Sequence, residues 1–170
     1  MRTRLITTSI TSLLVAGLAL GMLPTASAAT LTSTQKAKLQ YLIEEEKLAR
    51  DVYAYLAANV TTRKFPNIIK SEQNHMDQIA TLLSTYKVTN PTLNKAAGVF
   101  TNATLAKLYK SLTVQGKASA TEAFKVGVTI EKMDIGDLVE IRKLFTQSDV
   151  LAAIDLLDKG SQNHLAAFSR

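Results

Sequence analysis

The chain has 170 residues, 20 basic and 14 acidic side chains, a formal net charge of +6, and neither cysteine nor tryptophan. Without thiols it can build no disulfide framework, zinc ribbon or iron–sulfur cluster, and it has no cysteine nucleophile. Its lysines and arginines are scattered along the chain without interleaved aromatics, so the footprint of a nucleic-acid partner is missing.

The first 28 residues read as a secretory signal peptide. Met1-Arg2-Thr3-Arg4 is followed by the apolar run Leu13 to Leu20 and by the cleavage box Ala26-Ser27-Ala28. The apolar run is shorter than the roughly 20 residues that span a bilayer, so no membrane span is expected after cleavage. The expected product is residues 29–170, one secreted or periplasmic domain. Losing two arginines and no acid lowers the net charge to +4.

Residues 29–170 are rich in Ala, Leu, Lys and Glu and contain no extended Val/Ile/Thr alternation, which predicts an all-α fold. A first helix is expected from Thr32, where Thr32 and Gln35 have capping-box spacing, to about Asn59. Pro66 suits the first turn of a second helix running to about Tyr86. A long connection, Lys87 to Ala118, carries Pro91, Gly98 and Gly116 and a short helix within Asn102 to Thr113. Ser119 and Glu122 form a second capping-box pattern and open a helix to about Phe145. A last helix starts near Ser148 and ends with the chain. Gly160 inside it costs about 1 kcal/mol against alanine, and marks either a close helix approach or a break.

At about 100° per residue, polar residues fall into the apolar seams of all four long helices. Ile68, Glu72, His75, Ile79 and Leu83 share one face of the second helix. Val150, Ile154, Leu157, Ser161, His164 and Phe168 share one face of the last. The third long helix aligns Val126, Ile130, Asp134, Leu138 and Ile141, with Glu131 at the edge of that stripe and Asp137 on its other flank. The first aligns Leu39, Leu42, Glu46, Ala49 and Tyr53, with Glu45 as a second inward candidate. The run Glu44-Glu45-Glu46 otherwise reads as a solvated charge patch with one or two members turned inward. Tyr41, Tyr53 and Tyr86 read as packing residues with a polar tip. Buried carboxylates need compensation, either by a shared cation or by salt bridges to Arg50 or Lys132.

An internal echo selects among these groups. Ser71-Glu72-Gln73-Asn74-His75 resembles Gly160-Ser161-Gln162-Asn163-His164, and Glu46-Lys47-Leu48 resembles Glu131-Lys132-Met133. The chain reads as two divergent halves, each offering a glutamate and a histidine string. Residues three apart project from one helix face, so Glu72 and His75 can reach one ion together. In the second half Ser161 stands where that glutamate would be. Taken singly, Glu-x-x-His is common in helices and His164 alone could be a satisfied core histidine.

With these residues in view, the chain resembles the ferritin-like superfamily. Glu46 to Tyr53 is similar to the first-helix motif of rubrerythrins, and Phe65 to His75 to their second. Closer still is the resemblance to the uncharacterised domain-of-unknown-function family 2202, carried by the strings Glu45 to Tyr53, Ser71 to Met76, Gly98 to Phe100, Ile130 to Ile135 and Gly160 to Leu165. The superfamily resemblance implies an up-down four-helix bundle with a long crossover between its second and third long helices, containing the short helix. It implies a metal site at Glu46, Glu72, His75, Glu131 and His164, with Asp134 or Asp137 standing in for the carboxylate that Ser161 replaces. Carboxylate and imidazole donors suit iron or manganese, as one ion or a pair. Oxidation of ferrous iron or removal of peroxide is the activity the superfamily resemblance implies, and the bundle outline admits a homo-oligomer. The alternative is a metal-free bundle that docks a partner or a cell-surface component through its helices, its acids and histidines forming a buried network.

Overall fold

A computed structural model describes residues 30–170, and the expected signal peptide lies outside the described residues. Among the described residues there are five helices and no strand: α1 (Ser33–Asn59), α2 (Phe65–Thr85), α3 (Ala103–Gly116), α4 (Ala120–Arg142) and α5 (Ser148–Phe168). None of them is long and apolar enough to cross a membrane.

The helix starts follow local chemistry. Both halves of the Thr32/Gln35 capping box form, at 2.8 and 3.2 Å. Pro66 occupies the first turn of α2. The Asn102 side chain accepts from Thr104 and Leu105 N–H to open α3. At α4 the Ser119 side chain accepts from Glu122 N–H, but Glu122 spends its carboxylate on Lys125, so this cap is half a box. Two boundaries differ from expectation. α3 continues three residues to Gly116, and α4 stops at Arg142. Phe145 belongs to the apolar pattern of α4 because it is buried, yet it reaches the core from a turn.

Five-residue connections join α1 to α2 and α4 to α5, as in antiparallel helix hairpins. The buried apolar residues form two clusters. One joins Leu39, Leu42 and Ile43 to Ile79, Leu82 and Leu83 of α2, Leu138 and Ile141 of α4, and Val150, Ile154 and Leu157 of α5. The other joins Leu48, Val52, Tyr53 and Leu56 to Phe65 and Ile68, Leu105 and Leu112, Ala123, Val126 and Ile130, and Phe168. Each cluster therefore takes the end of α2 and the end of α4 that come in the same chain order, so these two helices run in the same direction. The connection from 86 to 119 accordingly returns the chain along the length of the helices.

That connection is held by α1. Leu42 through Ala49 are all buried, around the full circumference of the helix. The expectation of a solvated acidic run with one or two inward members is corrected here: all three are buried, Glu44 because residues 96–102 cover the side of α1 that carries it. Glu44 accepts from the backbone N–H groups of Thr101 and Asn102. Lys47, itself 1% exposed, pairs with Asp51, donates to Ala96 O at 2.8 Å and lies 4.6 Å from the Phe100 ring centroid. Asp51 accepts from Gly98 N–H at 3.0 Å and from Arg50. Gly98 has φ +74°, and a Cβ there would fall 2.5 Å from the Tyr109 ring, so the turn needs glycine.

Breaking a buried ion pair leaves an uncompensated charge. Asp51→Ala, which also strands Gly98 N–H, is expected to destabilise the fold by roughly 3–5 kcal/mol. Urea denaturation measures this, and a loss below about 1 kcal/mol would show that the crossover is held elsewhere.

Candidate metal centre

A polar layer lies between the two apolar clusters. It takes Glu46 from α1, Glu72 and His75 from α2, Glu131 and Asp134 from α4, and Ser161 and His164 from α5, each no more than 7% exposed. The three-residue spacings put both members of each helical pair on one face. Glu46, Glu72, His75, Glu131, His164 and Asp134 all lie in this layer, and the first five converge at its centre.

His75 Nδ1 lies 3.1 Å from Glu46 Oε2 and 3.0 Å from Glu72 Oε2. His164 Nδ1 lies 2.9 Å from Glu72 Oε1 and 3.6 Å from Glu131 Oε1. The two imidazoles stack with centroids 5.7 Å apart. Two triads result, Glu46/Glu72/His75 and Glu72/Glu131/His164, and within each the ligating atoms lie within 4.8 Å of one another. Glu72 belongs to both, one oxygen toward each histidine. A ring nitrogen carries at most one hydrogen, so neither Nδ1 can satisfy its two neighbouring carboxylates.

The unsatisfied atoms concentrate here. Among the described residues, Glu45 Oε2, Glu46 Oε1 and Asp134 Oδ1 are buried with no hydrogen-bond partner, and Glu72 Oε1 and His164 Nδ1 have only each other, at 2.9 Å. Each orphaned buried group costs about 1–3 kcal/mol, and more if charged. No lysine or arginine pairs with these acids: Arg50 is spent on Asp51 and Gln73, and Lys132 is exposed. The salt-bridge explanation drawn from sequence is thereby set aside.

Neighbouring groups support the layer. Tyr53, fully buried between Phe65 and Phe168, donates to Glu131 Oε1 at 2.6 Å. Asp134 is outside both triads and accepts a hydrogen bond from the Ser161 hydroxyl. Asp137 accepts from Tyr41 at 2.7 Å, and Tyr41 also reaches Glu45 Oε1 at 3.4 Å. Asp137 thus serves Tyr41 rather than the central triads. Tyr53 was readable from its place on the Glu46 stripe; its bond to Glu131 was not.

Gly160 resolves the choice left open by the sequence. A Cβ there would lie 2.4 Å from His75 Nε2, so the glycine is the wall against which the His75 ring rests. With Nε2 against α5, Nδ1 is the nitrogen turned toward the acids.

Electrostatics divide the layer. Burial opposes ionisation of Glu72, but the adjacent imidazoles outweigh it and bring Glu72 down to about 2. Burial likewise opposes charging of the histidines, yet their carboxylate neighbours push His75 up to about 10 and His164 up to about 9. Burial raises Glu131 and Asp134 to about 7, in spite of His164 and Ser161 respectively. Burial and the Asp134 charge hold Glu46 well above the usual carboxylate range, and burial with Asp134 and Asp137 does the same to Glu45. Burial and the Glu131 charge raise the Tyr53 phenol.

With this geometry in hand, comparison with known proteins gives a family. Residues 35–170 match the model of the uncharacterized protein domain DUF2202. The chain belongs to that family. It is 41% identical over 140 residues to the uncharacterized protein MJ0754 of Methanocaldococcus jannaschii, covering 82% of this chain and 76% of that protein. The crystal structure of hypothetical protein MJ0754, from the same archaeon under the name Methanococcus jannaschii, superposes with a TM-score of 0.81 at 40% identity, over 84% of this chain and 81% of the other. Both names leave the function open.

Two outcomes follow. At these groups the metal-free folded protein holds more protons than the unfolded chain from about pH 4 to pH 10, because four acids and both histidines titrate late. The stabilisation from the histidines is complete below their unfolded value near 6.5 and is lost as pH rises through 9 and 10; Glu72 alone adds stability above its unfolded value, lost as pH falls toward 2. Thermal melts in chelator should peak near pH 4 and fall toward pH 10, and a rise between pH 6 and 9 contradicts the assignment. Separately, Gly160→Ala should destabilise the metal-free protein, but stabilise a His75→Ala background by up to about 1 kcal/mol through helix propensity. Equal effects in both backgrounds, measured by urea denaturation, would remove the contact between Gly160 and His75 from consideration.

Proposed function

We propose that the chain is a ferritin-like four-helix bundle that binds iron or manganese in its central polar layer. Supporting the bundle are the two hairpins α1/α2 and α4/α5, the parallel course of α2 and α4, and a crossover long enough to join them. The layer holds two metal positions, one at Glu46, Glu72 and His75 and one at Glu72, Glu131 and His164, with Glu72 between them. The observation that carries this reading is the convergence of buried carboxylate oxygens and two imidazole nitrogens into two triads, with unpartnered oxygens on Glu46 and Asp134 and no lysine or arginine to compensate them.

Oxygen-rich donors with one imidazole per position match iron and manganese better than softer ions. Iron bound there would supply chemistry toward dioxygen or peroxide, and the activities proposed are ferrous-iron oxidation or peroxide removal. The residues of the chain do the rest. Two apolar clusters exclude water from either side of the layer. Tyr53 fixes one oxygen of Glu131 and so orients its carboxylate. Gly160 keeps His75 turned toward the acids. The histidine protons must leave for the nitrogens to bind metal, so loading releases protons. Export, as the N-terminal residues indicate, would place this activity outside the cytoplasm.

The purified chain, loaded with Mn²⁺ or Fe²⁺ and desalted, should retain metal in near-stoichiometric amount by elemental analysis. Glu72→Ala should lose it from both positions and His75→Ala from one. Ligand at 100 times its dissociation constant stabilises by about 2.7 kcal/mol, so chelator should visibly lower the melting temperature. No retention of either ion, with superimposable melts in metal and in chelator, would overturn the proposal and leave the metal-free partner-binding module.

A further inference from the structure

The two halves of the layer are unequal. On α2 a glutamate stands three residues before the histidine; on α5 the matching position is Ser161, whose side chain ends at a hydroxyl. That hydroxyl lies within 3.0 Å of Leu157 O in its own helix, and it also reaches across to α4, donating to Asp134 Oδ2. Asp134 lies one turn from Glu131, on the same face of α4. It is 5% exposed, and its second oxygen, Oδ1, is buried with no partner.

We propose that Asp134, held by the Ser161 hydroxyl, is a ligand of the metal layer and supplies from α4 the carboxylate that α5 lacks. This rests on the two-metal reading above. One oxygen of Asp134 is fixed by a neutral donor and the other keeps its lone pairs for a cation, which is how an outer hydrogen bond orients a ligating carboxylate. Charge balance supports the assignment. Glu46, Glu72, Glu131 and Asp134 together carry four negative charges, equal to two divalent cations when both histidines are neutral. Without Asp134 three carboxylates would face two divalent cations and leave one positive charge buried without a counter-charge.

Position supports it as well. Asp134 lies three residues after Glu131, and Ser161, which holds it, three before His164, so it borders the Glu72/Glu131/His164 triad. Glu45 also lies beside a hydroxyl, that of Tyr41, but this hydroxyl is directed to Asp137 at 2.7 Å and reaches Glu45 Oε1 only at 3.4 Å. Lengthening residue 161 to glutamate while shortening residue 134 to serine should transfer the same carboxylate from α4 to α5.

The test is manganese stoichiometry and electron paramagnetic resonance on the full chain loaded with Mn²⁺. The wild type should bind two ions per chain with a spin-coupled signal. Asp134→Asn, nearly the same shape, should bind one ion and give the six-line spectrum of isolated Mn²⁺. Ser161→Ala should weaken the second ion by about 10- to 100-fold, as loss of an orienting partner does. Ser161→Glu combined with Asp134→Ser should restore two coupled ions. Two coupled ions in Asp134→Asn would overturn the inference. So would one ion in both wild type and Asp134→Asn, while leaving a metal site in place; no ion in the wild type overturns this inference and the proposed function together. If Asp134→Asn does not fold, as judged by a cooperative melt, Ser161→Ala decides: unchanged affinity for the second ion overturns the inference.

Discussion

A carboxylate surrounded by leucine and valine side chains is tolerated only when something nearby carries the opposite charge, and the middle of this protein buries several such groups beside just two imidazoles. The cost per uncompensated ion is several kcal/mol, comparable with the whole stability of a small domain. Helix placement on either side follows from that constraint. Both apolar clusters stop at the polar layer, and the long helices all contribute to it at the same level. In the metal-free state protons provide the compensation: Glu46, Glu131 and Asp134 keep theirs to higher pH, while His75 and His164 hold positive charge beside Glu72. A divalent cation can replace those protons without moving a helix, because the ligating atoms of each triad already lie close together.

Three consecutive glutamates on α1 illustrate how one helix can serve three neighbours. Successive residues turn by about 100°, so adjacent side chains face different surroundings. Glu44 looks outward to the crossover and caps its backbone N–H groups. Glu45 faces Tyr41 on α1 itself and, beyond it, Asp137 of α4. Glu46 faces His75 of α2 and the centre of the layer. Lys47 and Asp51 extend the outward set and fasten residues 96–98. The string that binds the crossover and the string that enters the polar layer are therefore one string, which couples the long connection to the site.

The helices and their starts were legible in the sequence because capping and amphipathic spacing are local. Thr32 with Gln35, Pro66 and Asn102 each act within one turn, and the helix bounds fell within a few residues of those found. The seam positions of Glu72, His75, Glu131, Asp134 and His164 were legible for the same reason, since periodicity alone assigns a face. The exposed reading of Glu44 failed because periodicity within α1 carries no information about a segment fifty residues later that folds over it.

The sequence by itself determined the seam residues of the long helices and that two similar histidine strings belong to opposite halves of the chain. Only the tertiary structure decided what they face. Glu72 is shared between both histidines, Ser161 reaches Asp134 on another helix, and Gly160 gives the His75 ring its place. These are contacts between helices, fixed by axial stagger and rotation to within an ångström or two. A period of 3.6 residues sets the direction in which a side chain leaves its own helix, and it leaves that stagger undetermined.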